Sequence, residues 1–136
     1  MIQVVYKSRK NNKKLALAIS DELKVPARPI SKFDNKQTEV LFLGCAILGG
    51  TVSPKVEQFV ETLDSSIVKK IVLFSANGFG TDQFKALKKK ISEKGIEVSD
   101  DVFSCKGSAF IFKNMKHPNQ DDIKAVKEFA RKVVTG

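Results

Sequence analysis

The sequence predicts an α/β domain whose mainly parallel sheet is covered by helices on both faces. Three observations carry this expectation. Short continuous apolar runs at residues 2–6, 40–43 and 71–74 alternate with amphipathic segments along the chain. Those runs lack the in–out alternation of a sheet with one wet face, so their strands should be buried on both sides. No repeat, low-complexity tract or linker interrupts the 136 residues, a usual length for one domain, expected to span 1–136.

Each element follows from local pattern. Residues 2–6 form a β-branched run that reads as the first strand. After a polar turn, Leu15, Ile19 and Leu23 recur at helical spacing with Ala16 and Ala18 between them, and Val25-Pro26 should end that helix. A second strand is expected at 28–31, ahead of the polar stretch 32–38, and a third at 40–43. Ser53-Pro54 reads as an N-cap followed by the first helical residue, with Val56, Phe59, Val60 and Leu63 as the buried stripe. The fourth strand is 71–74. Phe84, Leu87 and Ile91 mark a third helix that Gly95 suits as a stop. Residues 96–112 read as extended, with a break at 106–108. Asn119 and Asp122 form a capping-box pair for a last helix that buries Ile123, Val126, Phe129, Ala130 and Val133.

Composition excludes several classes of function. The 42% hydrophobic and 29% charged fractions are those of a globular chain. No apolar run approaches the ~20 residues of a membrane-spanning helix, and residues 1–6 carry no basic segment ahead of an apolar one, so no secretory signal is expected. His117 is the sole histidine, and Cys45 and Cys105 stand apart, which leaves no four-ligand zinc set; no metal is expected. Both cysteines lie in apolar, strand-like surroundings and are expected as reduced buried thiols, which points to the cytoplasm.

The formal charge of +9 is the least ordinary feature. Lys88, Lys89, Lys90, Lys124, Lys127 and Lys132 interleave with core positions and read as solvated helix faces. Lys7, Arg9, Lys10, Lys13 and Lys14 instead surround one loop. The phenylalanines fall mostly at core periods, so the basic surface lacks the exposed aromatics of a nucleic-acid platform, and nucleic acid is not the expected partner.

In parallel sheets, ligands sit beyond the carboxyl ends of the strands where strand order reverses. The loops after the first, third and fourth apolar runs all have unusual composition. The first runs from Lys7 through Ser8, Arg9, Lys10, Asn11, Asn12, Lys13 and Lys14 straight into a helix, whose free N–H groups and dipole suit an anion. A plain capping turn would look the same. The second, Ala46, Ile47, Leu48, Gly49 and Gly50, is apolar; it either packs under the sheet edge or walls a flat aromatic ligand. In the third, Ser75, Ala76, Asn77, Gly78 and Gly80 surround Phe79, which is either a buried anchor or a ring contact.

Taken together, the three loops resemble those of flavodoxins, particularly short flavodoxin-like proteins, over nearly the whole chain. The family pattern S/T-x-T-G-N-T, which wraps the phosphate of FMN, corresponds to Ser8, Arg9, Lys10, Asn11, Asn12 and Lys13; Ser8 and Asn12 match it. The family frame G-x-P-x-Y-x-G is followed by Gly44, Cys45, Ala46, Ile47, Leu48, Gly49 and Gly50, with Ala46 and Leu48 at the proline and aromatic positions. Phe103-Ser104-Cys105-Lys106-Gly107 and His117-Pro118-Asn119 are also similar to short members. There is no G-x-G-x-x-G or G-x-x-x-x-G-K-[ST] pattern, and the carboxylates a phosphoreceiver needs are absent.

The resemblance implies a flavodoxin-like three-layer sandwich with a five-stranded parallel sheet of order 2-1-3-4-5. It implies FMN as cofactor, held by Ser8, Arg9, Lys10, Asn11, Asn12 and Lys13 at the phosphate. Ala46, Ile47, Leu48, Gly49, Gly50, Ser75, Ala76, Asn77, Gly78 and Phe79 would hold the ring. Lys10 and Lys13 would pair with the phosphate in place of the hydroxyls they replace, and Phe79 would be the main aromatic contact. No residue reads as an acid–base catalyst, so an electron carrier is expected rather than an enzyme with its own substrate. Acidic redox proteins are the expected partners of a monomer or weak dimer. Two alternatives stay open: a module whose flavin site has decayed at Lys10, Asn11, Lys13 and Leu48, and an FMN-dependent reductase.

Overall fold

The computed structural model describes residues 1–7, 10–48, 51–76, 84–105 and 119–135. Its central sheet is built from β1 (Ile2–Tyr6), β2 (Ala27–Pro29), β3 (Thr38–Gly44) and β6 (Val68–Ser75), with the short β7 (Glu97–Val98) and β8 (Phe103–Ser104) at one edge. All pair in parallel, in the order β2-β1-β3-β6, and both edge pieces pair with β6. Counted as one interrupted strand, β7 and β8 complete the order 2-1-3-4-5. The helices are α1 (Asn11–Leu23), α2 (Pro54–Glu61), α3 (Lys85–Glu93) and α4 (Gln120–Thr135).

The strands are continuous apolar runs because each sheet face meets a helical layer. Val4, Tyr6, Phe42, Val72 and Phe74 face α1 and α4, packing with Leu15, Ile19, Val126 and Ala130. Val5, Leu41, Leu43, Ile71 and Leu73 point the other way, to Val56, Phe59 and Val60 of α2 and Leu87 and Ile91 of α3. These two sets alternate along each strand as the pleat requires. Lys127 of α4 reaches Asp21 of α1 at 2.8 Å across the outer layer.

The helix ends follow their residues. Ser53 caps α2, its hydroxyl accepting from the Lys55 N–H at 3.3 Å, with Pro54 next. Asn119 and Asp122 exchange two bonds of 2.9 Å at the head of α4. Gly95 takes a left-handed φ of 81° after α3. The end of α1 differs from expectation: Lys24 itself adopts the left-handed conformation, with φ 59°, and closes the helix before Val25-Pro26.

Several boundaries depart from the sequence pattern, most of them because of pairing that local composition does not show. β2 is shorter than residues 28–31, because Ile30–Lys32 coil into one tight helical turn instead. β3 begins at Thr38, whose N–H bonds the Ile67 carbonyl and whose hydroxyl accepts from Gln3 Nε2 at 2.8 Å. The apolar loop after β3 contains an antiparallel pair, β4 (Ile47–Leu48) with β5 (Thr51–Val52), in which Leu48 faces Thr51. The stretch from 96 is not one strand: Glu97 to Phe103 takes six steps where their partners Lys70 to Phe74 take four, so the edge bulges between β7 and β8. Its continuation at 106–112 lies outside the described residues.

Gly44 ends β3 for a packing reason. A Cβ there would lie 2.7 and 2.8 Å from the ring carbons of Phe74 and 3.0 Å from Tyr6 Cβ. Both rings are fixed in the core, so Gly44→Ala should cost about 1–3 kcal/mol. Urea unfolding monitored by circular dichroism measures this; an unchanged midpoint would contradict the packing.

Candidate functional site

The carboxyl ends of β1, β3 and β6 lie side by side, as their pairing through Tyr6, Gly44 and Phe74 requires. The strand order reverses there, since β2 lies on one side of β1 and β3 on the other. A crevice at this point is the expected ligand position in an open parallel sheet.

One buried side chain ties the three loops together. Asn12, in the first turn of α1, donates from Nδ2 to the carbonyls of Lys7 and Cys45, both at 2.9 Å. Its Oδ1 accepts the Ala76 N–H at 2.8 Å. The Cys45 carbonyl also accepts from the Ser75 hydroxyl at 2.6 Å. Main-chain bonds continue the set: Lys7 N to Gly44 O, Cys45 N to Phe74 O and Cys105 N to Ser75 O. Asn12 and Ser75 are both buried, so both side chains serve to position the loops. The second loop is pinned at its base, where Ser53 N bonds the Ala46 carbonyl at 2.8 Å.

The head of α1, like that of α3, differs from the heads of α2 and α4. Its N-cap residue, Lys10, makes no side-chain capping bond, and no acidic residue stands in the first turn. By contrast, α2 has Ser53 and Glu57, and α4 has Asp121 and Asp122. Lys10, Lys13 and Lys14 are exposed around the α1 head. The first-turn N–H groups, the positive end of the helix dipole and these ammonium groups together suit a dianionic phosphate.

Of the expected site residues, the structure brings Lys10, Asn11, Asn12 and Lys13 to the helix head and sets Ala46 and Ile47 beside Ser75 and Ala76. Ile47 packs against the core on the α2–α3 face and Ala76 against the other core, so the two loops straddle the sheet end. Leu48 lies in β4. Ser8, Arg9, Gly49, Gly50, Asn77, Gly78 and Phe79 lie outside the described residues. Sequence reasoning missed the main chain of Cys45 as the shared acceptor. It also missed the hairpin signal of a Gly-Gly pair between two apolar segments. Cys45 itself is buried and its thiol pKa is raised by desolvation; Cys105 is only half-buried, with its thiol pushed up to about 12 by burial and by the charge of Asp122.

An uncharacterised protein of Methanocaldococcus jannaschii, MJ0298, is 34% identical over 146 residues, covering 96% of each chain. The chain belongs to the family of that archaeal protein. Among solved structures, it is similar to a flavodoxin from the domain Archaea, with a TM-score of 0.76 and 19% identity over 98% of this chain and 96% of that one. Oxidised flavodoxin 2 from Bacillus cereus matches with a TM-score of 0.72 and 17% identity, over 98% and 97% of the two chains. Rubredoxin oxygen:oxidoreductase from Desulfovibrio gigas matches over 98% of this chain and 35% of its own, at 12% identity and a TM-score of 0.68. The fold of this family member is therefore flavodoxin-like. No family model matches the chain. Among the described residues no helix is long and apolar enough to cross a membrane.

Removing the Asn12 carboxamide leaves the Lys7 carbonyl and the Ala76 N–H without this partner in a partly buried setting. Each such loss costs about 1–3 kcal/mol. Asn12→Ala should therefore destabilise the fold by about 2–4 kcal/mol. Amide exchange should rise at Lys7, Cys45 and Ala76 together; faster exchange at one loop alone would show that the loops are not coupled.

Proposed function

We propose that the chain binds FMN, with its phosphate at the head of α1, and acts as a single-domain electron carrier between redox proteins. The observation that carries this reading is the position of the α1 head at the strand-order reversal, with lysines around it and no carboxylate in its first turn. Ser8, Arg9, Lys10, Asn11 and Lys13 would surround the phosphate, with Asn12 holding the turn in place. Ala46, Ile47, Leu48, Gly49 and Gly50 would form one wall for the ring, and Ser75, Ala76, Asn77, Gly78 and Phe79 the other. Bound FMN would supply the capacity to accept and release electrons. The chain's residues would fix its position, exclude water and set its electrostatic surroundings.

The flavodoxin structures of similar fold and the loop pattern both support this reading. So does the chemistry of the donor set: backbone N–H groups and ammonium groups, without a carboxylate in the first turn. The described residues of the loops after β3 and β6, Cys45 to Leu48 with Ser75 and Ala76, include no carboxylate or imidazole to act in acid–base catalysis. A module that binds no flavin is the second reading, favoured by Lys10 and Lys13 standing where the family pattern has hydroxyl side chains.

Titration separates the two. The purified chain, stripped of ligand, should bind FMN and quench its fluorescence, while riboflavin binds at least about 100-fold more weakly for want of the phosphate. Lys13→Glu should weaken FMN by about 10-fold or more, and leave riboflavin unchanged. Equal affinity for both flavins would move the binding energy away from α1, and binding of neither would support the second reading.

Positive surroundings favour negative charge on a bound group. The second reduction step of the flavin should therefore be less negative than in acidic flavodoxins. Lys14→Glu, outside the proposed contacts, should lower it by roughly tens of millivolts. A redox titration in which this variant leaves the potential unchanged would reject an electrostatic role for the basic turn. Net positive charge also suits acidic partners in the cytoplasm, with association slowed by salt.

A further inference from the structure

A cavity of about 630 Å³ opens beside the head of α1. Its walls come from the end of β1, the end of β2 with the turn at Ile30–Lys32, and one flank of α2. None of the described residues at 45–48 or 75–76 lines it. It shares Lys13 with the proposed phosphate contacts, and its other lining residues lie outside the residues proposed to hold FMN.

The cavity exists because one layer is missing. Parallel strands are usually joined through a crossover helix that covers the sheet. The connection from β2 to β3 carries only the single turn Ile30–Lys32. The α2 flank carrying Lys55, Phe59 and Thr62 is left facing a hollow instead of a neighbouring helix. A second hollow of about 260 Å³ shares Ile30, Phe59 and Thr62 with the first. There Phe33 closes against Phe59, edge to face at 5.5 Å between ring centres.

The lining has a definite chemistry. Tyr6, Ile30 and Phe59 contribute apolar surface, while Lys7, Lys13 and Lys55 bring three ammonium groups. No carboxylate lines the cavity among the described residues, and none of these three lysines is ion-paired there. With Lys13 turned to the proposed phosphate, Lys7 and Lys55 leave net positive charge on a concave apolar surface, and an anion placed beside them relieves their repulsion. The volume lies in the range of small-molecule sites. We propose that this cavity is a second ligand site, for a small organic anion with an apolar body. The body would lie along Ile30 and Phe59, and the acidic group against Lys55 and its neighbouring lysines.

Lys55 gives the decisive variant. It is exposed in the first turn of α2, where a carboxylate is compatible with the helix dipole, so Lys55→Glu should fold. Lys89→Glu, exposed on α3, makes the same change in net charge far along the chain and serves as control. Isotope-labelled full-length protein, saturated with FMN, would be titrated with a naphthalenesulfonate, with a neutral naphthalenemethanol and with inorganic phosphate, following backbone amide shifts. The naphthalenesulfonate should give saturable shifts centred on Ile30, Ser31, Lys55, Gln58 and Thr62. It should bind about 10-fold or more tightly than either other probe. Lys55→Glu should weaken it by about 5-fold or more, against less than about 2-fold for Lys89→Glu.

Shifts centred elsewhere, equal binding of the neutral or inorganic probe, or equal effects of the two variants would overturn the proposal. So would mutual competition between FMN and the naphthalenesulfonate, which would mean one shared site. The same titration on flavin-free protein keeps the two readings apart. A chain that binds no FMN but still gives these shifts loses the carrier function and retains the second site.

Discussion

The carboxamide of Asn12 reaches the main chain of three loops at once, and the arrangement at the strand ends rests on those bonds. Its two N–H groups and its oxygen meet Lys7, Cys45 and Ala76, which follow β1, β3 and β6. Loops at the end of a parallel sheet have no ladder left to hold them. A buried side chain with both donors and an acceptor supplies the connection that the strands no longer provide. An aspartate at this position would have the right shape but, when ionised, no donor for the two carbonyls. Placing Asn12 in the first turn of α1 adds a second consequence, because the same bonds fix the direction in which the helix head points.

The proposed phosphate position at the helix head differs from two other helix starts in its local chemistry. α2 and α4 cap a first-turn N–H with Ser53 or Asn119 and place acids nearby, whereas α3 has neither device. At α1 Lys10 makes no capping bond, the first turn has no acid, and lysines stand nearby. Capping by the proposed phosphate would leave part of the helix's stabilisation to the bound state, linking binding to folding. The same economy of layers appears on the opposite face, where the β2–β3 connection omits a helix and leaves the lysine-rimmed cavity.

Much of this was legible in the residues. The strands of the sheet's interior announced themselves as unbroken apolar runs, and Ser53-Pro54, Gly95 and Asn119 with Asp122 marked helix ends by local chemistry alone. What local pattern did not carry was set by distant partners. Thr38 joins β3 through Ile67 and Gln3, and the edge strand bulges between Val98 and Phe103 to keep pairing with β6. The site was half legible. Its position followed from the unusual loops, and Asn12 stood out by family pattern, but its bonds to Cys45 and Ala76 span 33 and 64 residues of sequence and could not be read from spacing. The cavity depends on the absence of an element, which a residue-by-residue reading does not register.

The central claim is that the α1 head grips a phosphoryl dianion. Phosphorus NMR of FMN in the presence of excess protein tests it directly. Cationic surroundings and N–H donors stabilise the dianion, so the second ionisation, normally near about pH 6, should move well below that value. A single bound resonance that does not shift from about pH 8 down to about pH 5 is the predicted result. A resonance that titrates like that of free FMN, with the protein present in excess, would contradict the account.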